Sequence, residues 1–180
     1  MVQIILIVGA SGVGKDTLIK NIKHKANINF TKRYITREPD SNEQNYYIDK
    51  DAFELLKSNN FFISTWEAHN NKYAIAKNQI KEGLNIISIS RAAIKNFEQF
   101  YKNVTTIEVT LPRDTLYKRL QKRGRENEEQ ILKRLNRTYL KIDAKNIIQF
   151  DNSNDIEQSS EEFINLIEKI KSQKVIDNEN

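Results

Sequence analysis

Apolar residues occupy every position of Ile4-Ile5-Leu6-Ile7-Val8, and Leu18, Ile19 and Ile22 then follow at helical spacing. An unbroken apolar run of this length reads as a strand buried on both faces, as in a parallel sheet, and the 3.6-residue period after it reads as an amphipathic helix. The pattern predicts a strand over Val2–Val8 and a helix over Lys15–Lys25. It recurs along the chain. Leu84–Ile89 and Val104–Leu111 read as further core strands, and Asn146–Phe150 as another. Asp49 is placed to cap a helix over Lys50–Ser58, and Asp114 one over Thr115–Arg123. Ala92–Tyr101, Glu126–Lys141 and Ile156–Gln173 also carry helical spacing. Between these lie an extended segment Asn29–Arg37, a polar loop Glu38–Asn45, a strand-like Phe61–Trp66 and a turn at Asn70-Asn71. Ala76–Glu82 reads as a helix stopped by Gly83. Strands separated by helices predict an α/β fold with a doubly wound parallel sheet, and 180 residues predict one domain.

The first strand joins the first helix through Gly9-Ala10-Ser11-Gly12-Val13-Gly14-Lys15. Glycines let successive backbone N–H groups turn toward one point. The helix N-terminus adds a partial positive charge and Lys15 a full one. Strand, glycine loop and helix in this order are the context of a phosphate-binding P-loop. The residue after the lysine is usually Ser or Thr; here it is Asp16, followed by Thr17. A carboxylate can hold Mg2+ directly or through water, so Asp16 is expected on the metal side of a nucleotide.

Two arginine clusters extend this reading. Arg33-Tyr34-Ile35-Thr36-Arg37 places two guanidiniums on one face of an extended segment, where their planar forks suit an acceptor phosphate. Farther on, Arg119 and Arg123 lie four apart on one predicted helix, Gly124 breaks it, and Arg125 falls on the turn. Arg134 and Arg137 share a face of the next helix. Two arginine-bearing helices joined at a glycine describe a lid over a polyphosphate. The net charge of +5 is concentrated here: residues 113–145 hold eleven Lys/Arg against five Asp/Glu, which leaves the rest of the chain close to neutral. Ser88-Ile89-Ser90-Arg91 ends a predicted strand, at the carboxyl edge where ligands of open α/β sheets lie. Trp66, His69 and Tyr73 are less decisive, since such residues more often pack than bind.

The absences narrow the chemistry. There is no cysteine, so disulfides and thiol nucleophiles are excluded. No Ser/His/Asp set, histidine cluster or carboxylate pair presents itself. A kinase whose acceptor is itself a phosphate needs none, because its nucleophile is already an anion and the task is to bring two polyanions together. No signal peptide or spanning segment is read, so the chain is expected to be cytoplasmic without a membrane partner. Nucleic acid is not expected as a partner, since only the lid is basic and no aromatic platform is interleaved with it. A monomer or homodimer is expected.

These residues together resemble the nucleoside-monophosphate kinases, in their guanylate kinase branch, and within it the ribose 1,5-bisphosphate phosphokinases of bacterial phosphonate catabolism. The resemblance rests on Gly14-Lys15-Asp16, Arg33-Tyr34-Ile35-Thr36-Arg37, Trp66 with Ala68-His69, Tyr73, Ser90-Arg91, and Arg119-Leu120 through Arg123-Gly124-Arg125-Glu126-Asn127. It implies ATP and Mg2+ as cofactors and formation of 5-phosphoribosyl 1-diphosphate from ribose 1,5-bisphosphate. It implies one domain with an acceptor insert at about 33–82 and a lid at about 119–140. By position, Gly9, Ala10, Ser11, Gly12, Val13, Gly14, Lys15, Asp16 and Thr17 would hold the ATP phosphates, with Asn152 near adenine. Arg33, Arg37, Glu43, Asn45, Tyr46, Tyr73, Ser90 and Arg91 would face the acceptor. Lys15, Arg119, Arg123, Arg125 and Arg134 would stabilise the transferring group. The chain departs from the family at Tyr73-Ala74, where Tyr-Gly is usual, at Ser88-Ile89, where Asn-Gly is usual, and in a loop one residue short at Glu43–Asn45. Guanylate kinase itself is the alternative, but its guanine site needs a hydroxyl where this chain has Ile75 and acids where it has Ser88-Ile89-Ser90. A non-catalytic guanylate-kinase-like binding module is the third reading; a γ-phosphate clamp would have no use there.

Overall fold

The computed structural model describes residues 1–23, 28–38, 45–68, 70–124, 126–138 and 142–176, the backbone alone at 137–138 and 173–176. In chain order the elements are β1 (Val2–Val8), α1 (Lys15–Ile22), β2 (Ile28–Phe30), β3 (Tyr34–Ile35), β4 (Tyr46–Tyr47), α2 (Lys50–Ser58), β5 (Phe62–Ala68), β6 (Asn71–Ala76), β7 (Gly83–Ser88), α3 (Ile94–Phe100), β8 (Val104–Thr110), α4 (Arg113–Arg123), α5 (Glu128–Thr138), β9 (Ile147–Asp151) and α6 (Ile156–Ile176). The central sheet has the order β2-β7-β1-β8-β9. β1 runs parallel to β7 from Val2↔Gly83 to Ile7↔Ser88, and β2 runs parallel to β7 on its other side. Ile4 to Val8 are fully buried, which is why no polar residue interrupts that run.

The chain divides into two compact units. The first comprises Met1–Ile7, Asn27–Thr106 and Asp143–Ile147. It contains a second sheet of order β4-β3-β6-β5, in which β6 is antiparallel to both β3 and β5. α2 covers it, and Ile48, Phe53, Phe62, Ala74 and Ala76 form its core. Asp49 caps α2 as expected, accepting from the amides of Asp51 (3.0 Å) and Ala52 (2.9 Å).

The second unit comprises Val8–Ala26, Ile107–Ile142 and Ile148–Asn180. Here α1 packs on α6, with Asn21 Nδ2 donating to Ser160 Oγ at 2.8 Å, and the Phe150 and Phe163 rings meet edge-on at 5.0 Å. α4 and α5 pack together, and Leu116 and Leu120 on the first and Ile131 and Leu135 on the second are buried. α5 begins with a reciprocal cap: Asn127 Oδ1 accepts from the Gln130 amide at 2.9 Å, and Gln130 Oε1 from the Asn127 amide at 3.0 Å.

Several expectations are corrected. Ala76–Glu82 is not a helix. Asn71–Ala76 forms β6, and only Lys77–Gln79 makes a single 3₁₀ turn. Ala74, Ile75 and Ala76 are fully buried in the second sheet, so pairing overrides the helical preference of alanine. The extended Asn29–Arg37 serves two sheets, β2 in the central one and β3 in the second. α4 starts earlier than Asp114 predicts, with Pro112 at its cap and Asp114 in the first turn, where an acid suits the helix dipole. Of the helix expected over Ala92–Tyr101, Ala92 and Ala93 belong with Arg91 to a 3₁₀ turn that precedes α3. His24 and Lys25, given to the first helix, the polar residues 39–44, and Tyr139–Lys141, given to the lid helix, lie outside the described residues. Among the described residues no helix is long and apolar enough to cross a membrane.

Candidate active site

The glycine loop lies in the second unit. Gly9 has φ +147°, and a Cβ there would stand 2.4 Å from the Val109 carbonyl oxygen. Gly14 has φ +96° and occupies the cap position of α1, where it supplies no side chain to the amides of the first turn. A helix start of this kind, with its partial positive charge, favours an anion. Lys15 Nζ donates to the carbonyls of Gly9 (2.7 Å) and Ala10 (2.8 Å), which holds its ammonium over the loop. Asp16 and Thr17 are exposed at the first turn of α1.

Asn152 follows β9 and braces this loop. Its amide donates to the Thr110 carbonyl at 3.0 Å, and its side-chain Nδ2 to the Val13 carbonyl at 2.6 Å. A Cβ on Gly14 would stand 2.4 Å from that Nδ2. Gly14→Ala therefore combines a left-handed backbone with a clash against a buried amide. It is expected to destabilise the chain by about 1–3 kcal/mol, read as a lower urea midpoint at constant slope. An unchanged midpoint would show that Asn152 yields freely.

Two arginines of α4 reach the same loop, and one of α5 joins them through Glu126. Arg119 Nη2 donates to the Asn152 carbonyl at 3.4 Å, and its Nη1 would stand 3.7 Å from a Cβ on Gly14. Arg123 Nη1 donates to Ser11 Oγ at 3.3 Å. Its Nη2 donates to Glu126 Oε1 at 2.6 Å, and Arg134 Nη2 contacts the same oxygen at 3.1 Å. Gly124, at φ +66°, ends α4 and turns the chain toward α5. Arg125 and the side chain of Arg137 lie outside the described residues. Sequence reasoning does not single out Glu126. Its signal is its place in the string Arg123-Gly124-Arg125-Glu126-Asn127, an acid three residues after an arginine with Glu128 and Glu129 soon after it.

The expected acceptor residues lie in the first unit. Arg33 Nε donates to Asn45 Oδ1 at 3.2 Å, and the Tyr46 amide donates to the Arg33 carbonyl at 2.8 Å. Tyr34 sits beside Tyr46, ring centroids 5.1 Å apart, and pairs across β3–β6 with Ala74. Burial, then the neighbouring Tyr46 phenol, push the Tyr34 phenol above its usual range, so it keeps its proton at neutral pH. Tyr73 lies opposite Ile35 and stacks on Trp66 at 5.6 Å and 8°. Arg37 Nη1 donates to the Glu38 carbonyl at 3.0 Å. Ser90 precedes the 3₁₀ turn that Arg91 opens, just beyond the end of β7. The Ser88 hydroxyl at that end is buried without a hydrogen-bond partner among the described residues. Glu43 and His69 lie outside them.

Residues 5–140 match the AAA domain family. Curated relatives include the ribose 1,5-bisphosphate phosphokinases PhnN of Rhizobium etli, 30% identical over 91% of this chain and 88% of that protein, and of Agrobacterium fabrum, 30% identical over 92% and 96%. Among solved structures, guanylate kinase from Anaplasma phagocytophilum superposes with TM-score 0.61 at 19% identity, covering 94% of this chain and 86% of that one. A gluconokinase from Sinorhizobium meliloti superposes with TM-score 0.58 at 12% identity, covering 97% of both chains, so the shared feature is the fold.

A parallel α/β sheet carrying a glycine loop, lysine and arginine-bearing helices defines a nucleotide-using P-loop phosphotransferase. More narrowly, the chain belongs to the ribose 1,5-bisphosphate phosphokinase family.

Proposed function

We propose that the chain transfers the γ-phosphoryl group of ATP to the 1-phosphate of ribose 1,5-bisphosphate, giving 5-phosphoribosyl 1-diphosphate and ADP. An oxygen of the acceptor phosphate forms the new P–O bond while the bond between the γ-phosphorus and the β,γ-bridging oxygen breaks. No proton need leave the nucleophile, which fits a site built from cations rather than from a general base. The observation that carries the reading is the grouping of Lys15, Arg119 and Arg123 on one glycine loop, in a chain related along most of its length to named phosphokinases.

In this reading Gly9–Thr17 cradle the phosphates, and Asn152 keeps the loop in shape from the nucleotide side. Lys15, Arg119, Arg123, Arg125 and Arg134 face charge that moves onto the leaving oxygen. Arg33, Arg37 and Arg91 hold the acceptor's two phosphates, with Glu43, Asn45, Tyr46, Tyr73 and Ser90 shaping its site. The chain acts as one kinase domain, with an acceptor insert at about 33–82 and a lid at about 119–140. Incubation with ATP, Mg2+ and ribose 1,5-bisphosphate, followed by phosphorus NMR, is expected to show ADP and a sugar diphosphate. ATP consumption without a diphosphate on the sugar would refute the assignment.

Among the described residues no group of three acidic or histidine side chains could cage a metal. A lone exposed carboxylate beside the phosphate loop instead fits Mg2+ carried largely by nucleotide phosphates and water. When bound, Mg2+ would neutralise phosphate charge and orient the leaving group. In this reading Asp16 would hold it. Asp16→Asn is expected to raise the Mg2+ concentration for half-maximal activity, and Asp16→Ser to raise it less, because serine restores the usual ligand. An unchanged Mg2+ dependence in Asp16→Asn would make this carboxylate structural.

A further inference from the structure

Glu126 stands where the two helices of the arginine cluster meet. One oxygen, Oε1, accepts from Arg123 of α4 at 2.6 Å and from Arg134 of α5 at 3.1 Å. The side chain is only 7% exposed, whereas the two arginines keep 28% and 26%. The carboxylate is therefore the inner partner and the guanidiniums the outer ones. Arg123 spans the cluster, with Nη2 on Glu126 and Nη1 on Ser11 of the glycine loop. Two guanidiniums on adjoining helices repel each other, and a flexible side chain without a fixed partner loses direction. A buried carboxylate shared between them removes one unit of like charge and fixes one nitrogen of each fork by a charge-assisted bond. Each guanidinium has five N–H donors, so the contacts to Glu126 do not use up either fork. We infer that Glu126 is the positioning residue of the lid: its shared carboxylate aligns Arg123 and Arg134 for the transferring phosphoryl group. The inference rests on the phosphotransfer reading above, in which those arginines meet the phosphates.

Glu126→Gln keeps the shape and removes the charge. With Glu126 acting through the arginines, kcat falls about 10- to 100-fold, the cost of misaligned catalytic groups, while KM for ATP moves far less, because the contact matters most in the transition state. Glu126→Asp keeps the charge one methylene shorter and recovers part of the loss; it also serves if the Gln variant fails to fold in a thermal melt. The decisive comparison is a double-mutant cycle. In an Arg123→Ala background, Glu126→Gln costs less in kcat than it does in the wild type, since one of the two groups it aligns is gone. Full additivity, a wild-type kcat in Glu126→Gln, or an Asp variant no better than Gln would each overturn the proposal. The cycle is also run on slow phosphoryl transfer from ATP to water, which needs no sugar. Thus a wild-type chain that turns over but ignores ribose 1,5-bisphosphate refutes the acceptor, while the Glu126 cycle on water still tests the lid.

Discussion

Lys15→Ala is expected to lower kcat about 10²–10³-fold, the usual cost of losing one preorganised electrostatic contact to a developing oxyanion. The ammonium now rests on the neutral carbonyls of Gly9 and Ala10, at 2.7 and 2.8 Å, at the very start of α1. A phosphate oxygen is a stronger acceptor than a neutral carbonyl, because a hydrogen bond between two ions is roughly twice as strong as a neutral one. Nucleotide entry is therefore expected to turn the ammonium from the loop onto the phosphates. The loss should appear in kcat as well as in nucleotide affinity, since charge on the bridging oxygen grows only as the bond breaks. Lys15→Arg should not restore the rate: a planar fork cannot occupy the place of a compact point charge between two loop carbonyls. The check is steady-state turnover of folded Lys15→Ala with ATP and the best acceptor. Near-wild-type turnover would remove the basis for reading the loop as a phosphate clamp.

The parts of the fold set by local pattern are legible in the sequence. Ile4–Val8 is apolar throughout because it is buried on both faces, and Gly9–Lys15 is rich in glycine because positions within it need positive φ against close neighbours. Asp49 announces its helix through hydrogen bonds that reach only two and three residues along. The second sheet is legible only in part: Phe61–Trp66 reads as strand-like and overlaps β5, and the extended Asn29–Arg37 contains β3. β3 and β4 are two residues each, too short to show a period, and β6 carries Ala74 and Ala76, which favour helices when read alone. Their strand state comes from partners distant in sequence, such as Tyr34 opposite Ala74. Among site residues, the arginines are visible because guanidiniums at helical spacing are distinctive. Asn152 is expected near the nucleotide, but its bond to Val13 joins residues 139 positions apart and leaves no mark in either segment. Glu126 is hidden for a different reason: its role is fixed by Arg134 on α5 as much as by Arg123 on α4.

The second large effect is expected in the choice of acceptor. Guanine presents several polar groups along its edge, and each one buried without a partner costs about 1–3 kcal/mol. The position where a guanine site needs a hydroxyl holds Ile75, which is fully buried between Ala74 and Ala76 and offers nothing polar. The end of β7 carries Ser88, Ile89 and Ser90 and no acid. Two unmet groups amount to about 10²-fold or more in selectivity, since every 1.4 kcal/mol is about tenfold. A sugar bisphosphate asks instead for cations at two phosphates and hydroxyl partners between them. Arg33, Arg37, Arg91 and the unpartnered Ser88 hydroxyl have that chemistry. The measurement that bears most directly on the function is thus a side-by-side determination of kcat/KM, with ATP and Mg2+, for ribose 1,5-bisphosphate and for GMP. The predicted result favours ribose 1,5-bisphosphate by about 10²-fold or more; a kcat/KM for GMP equal to or above that for the sugar would contradict the assignment and make the chain a guanylate kinase.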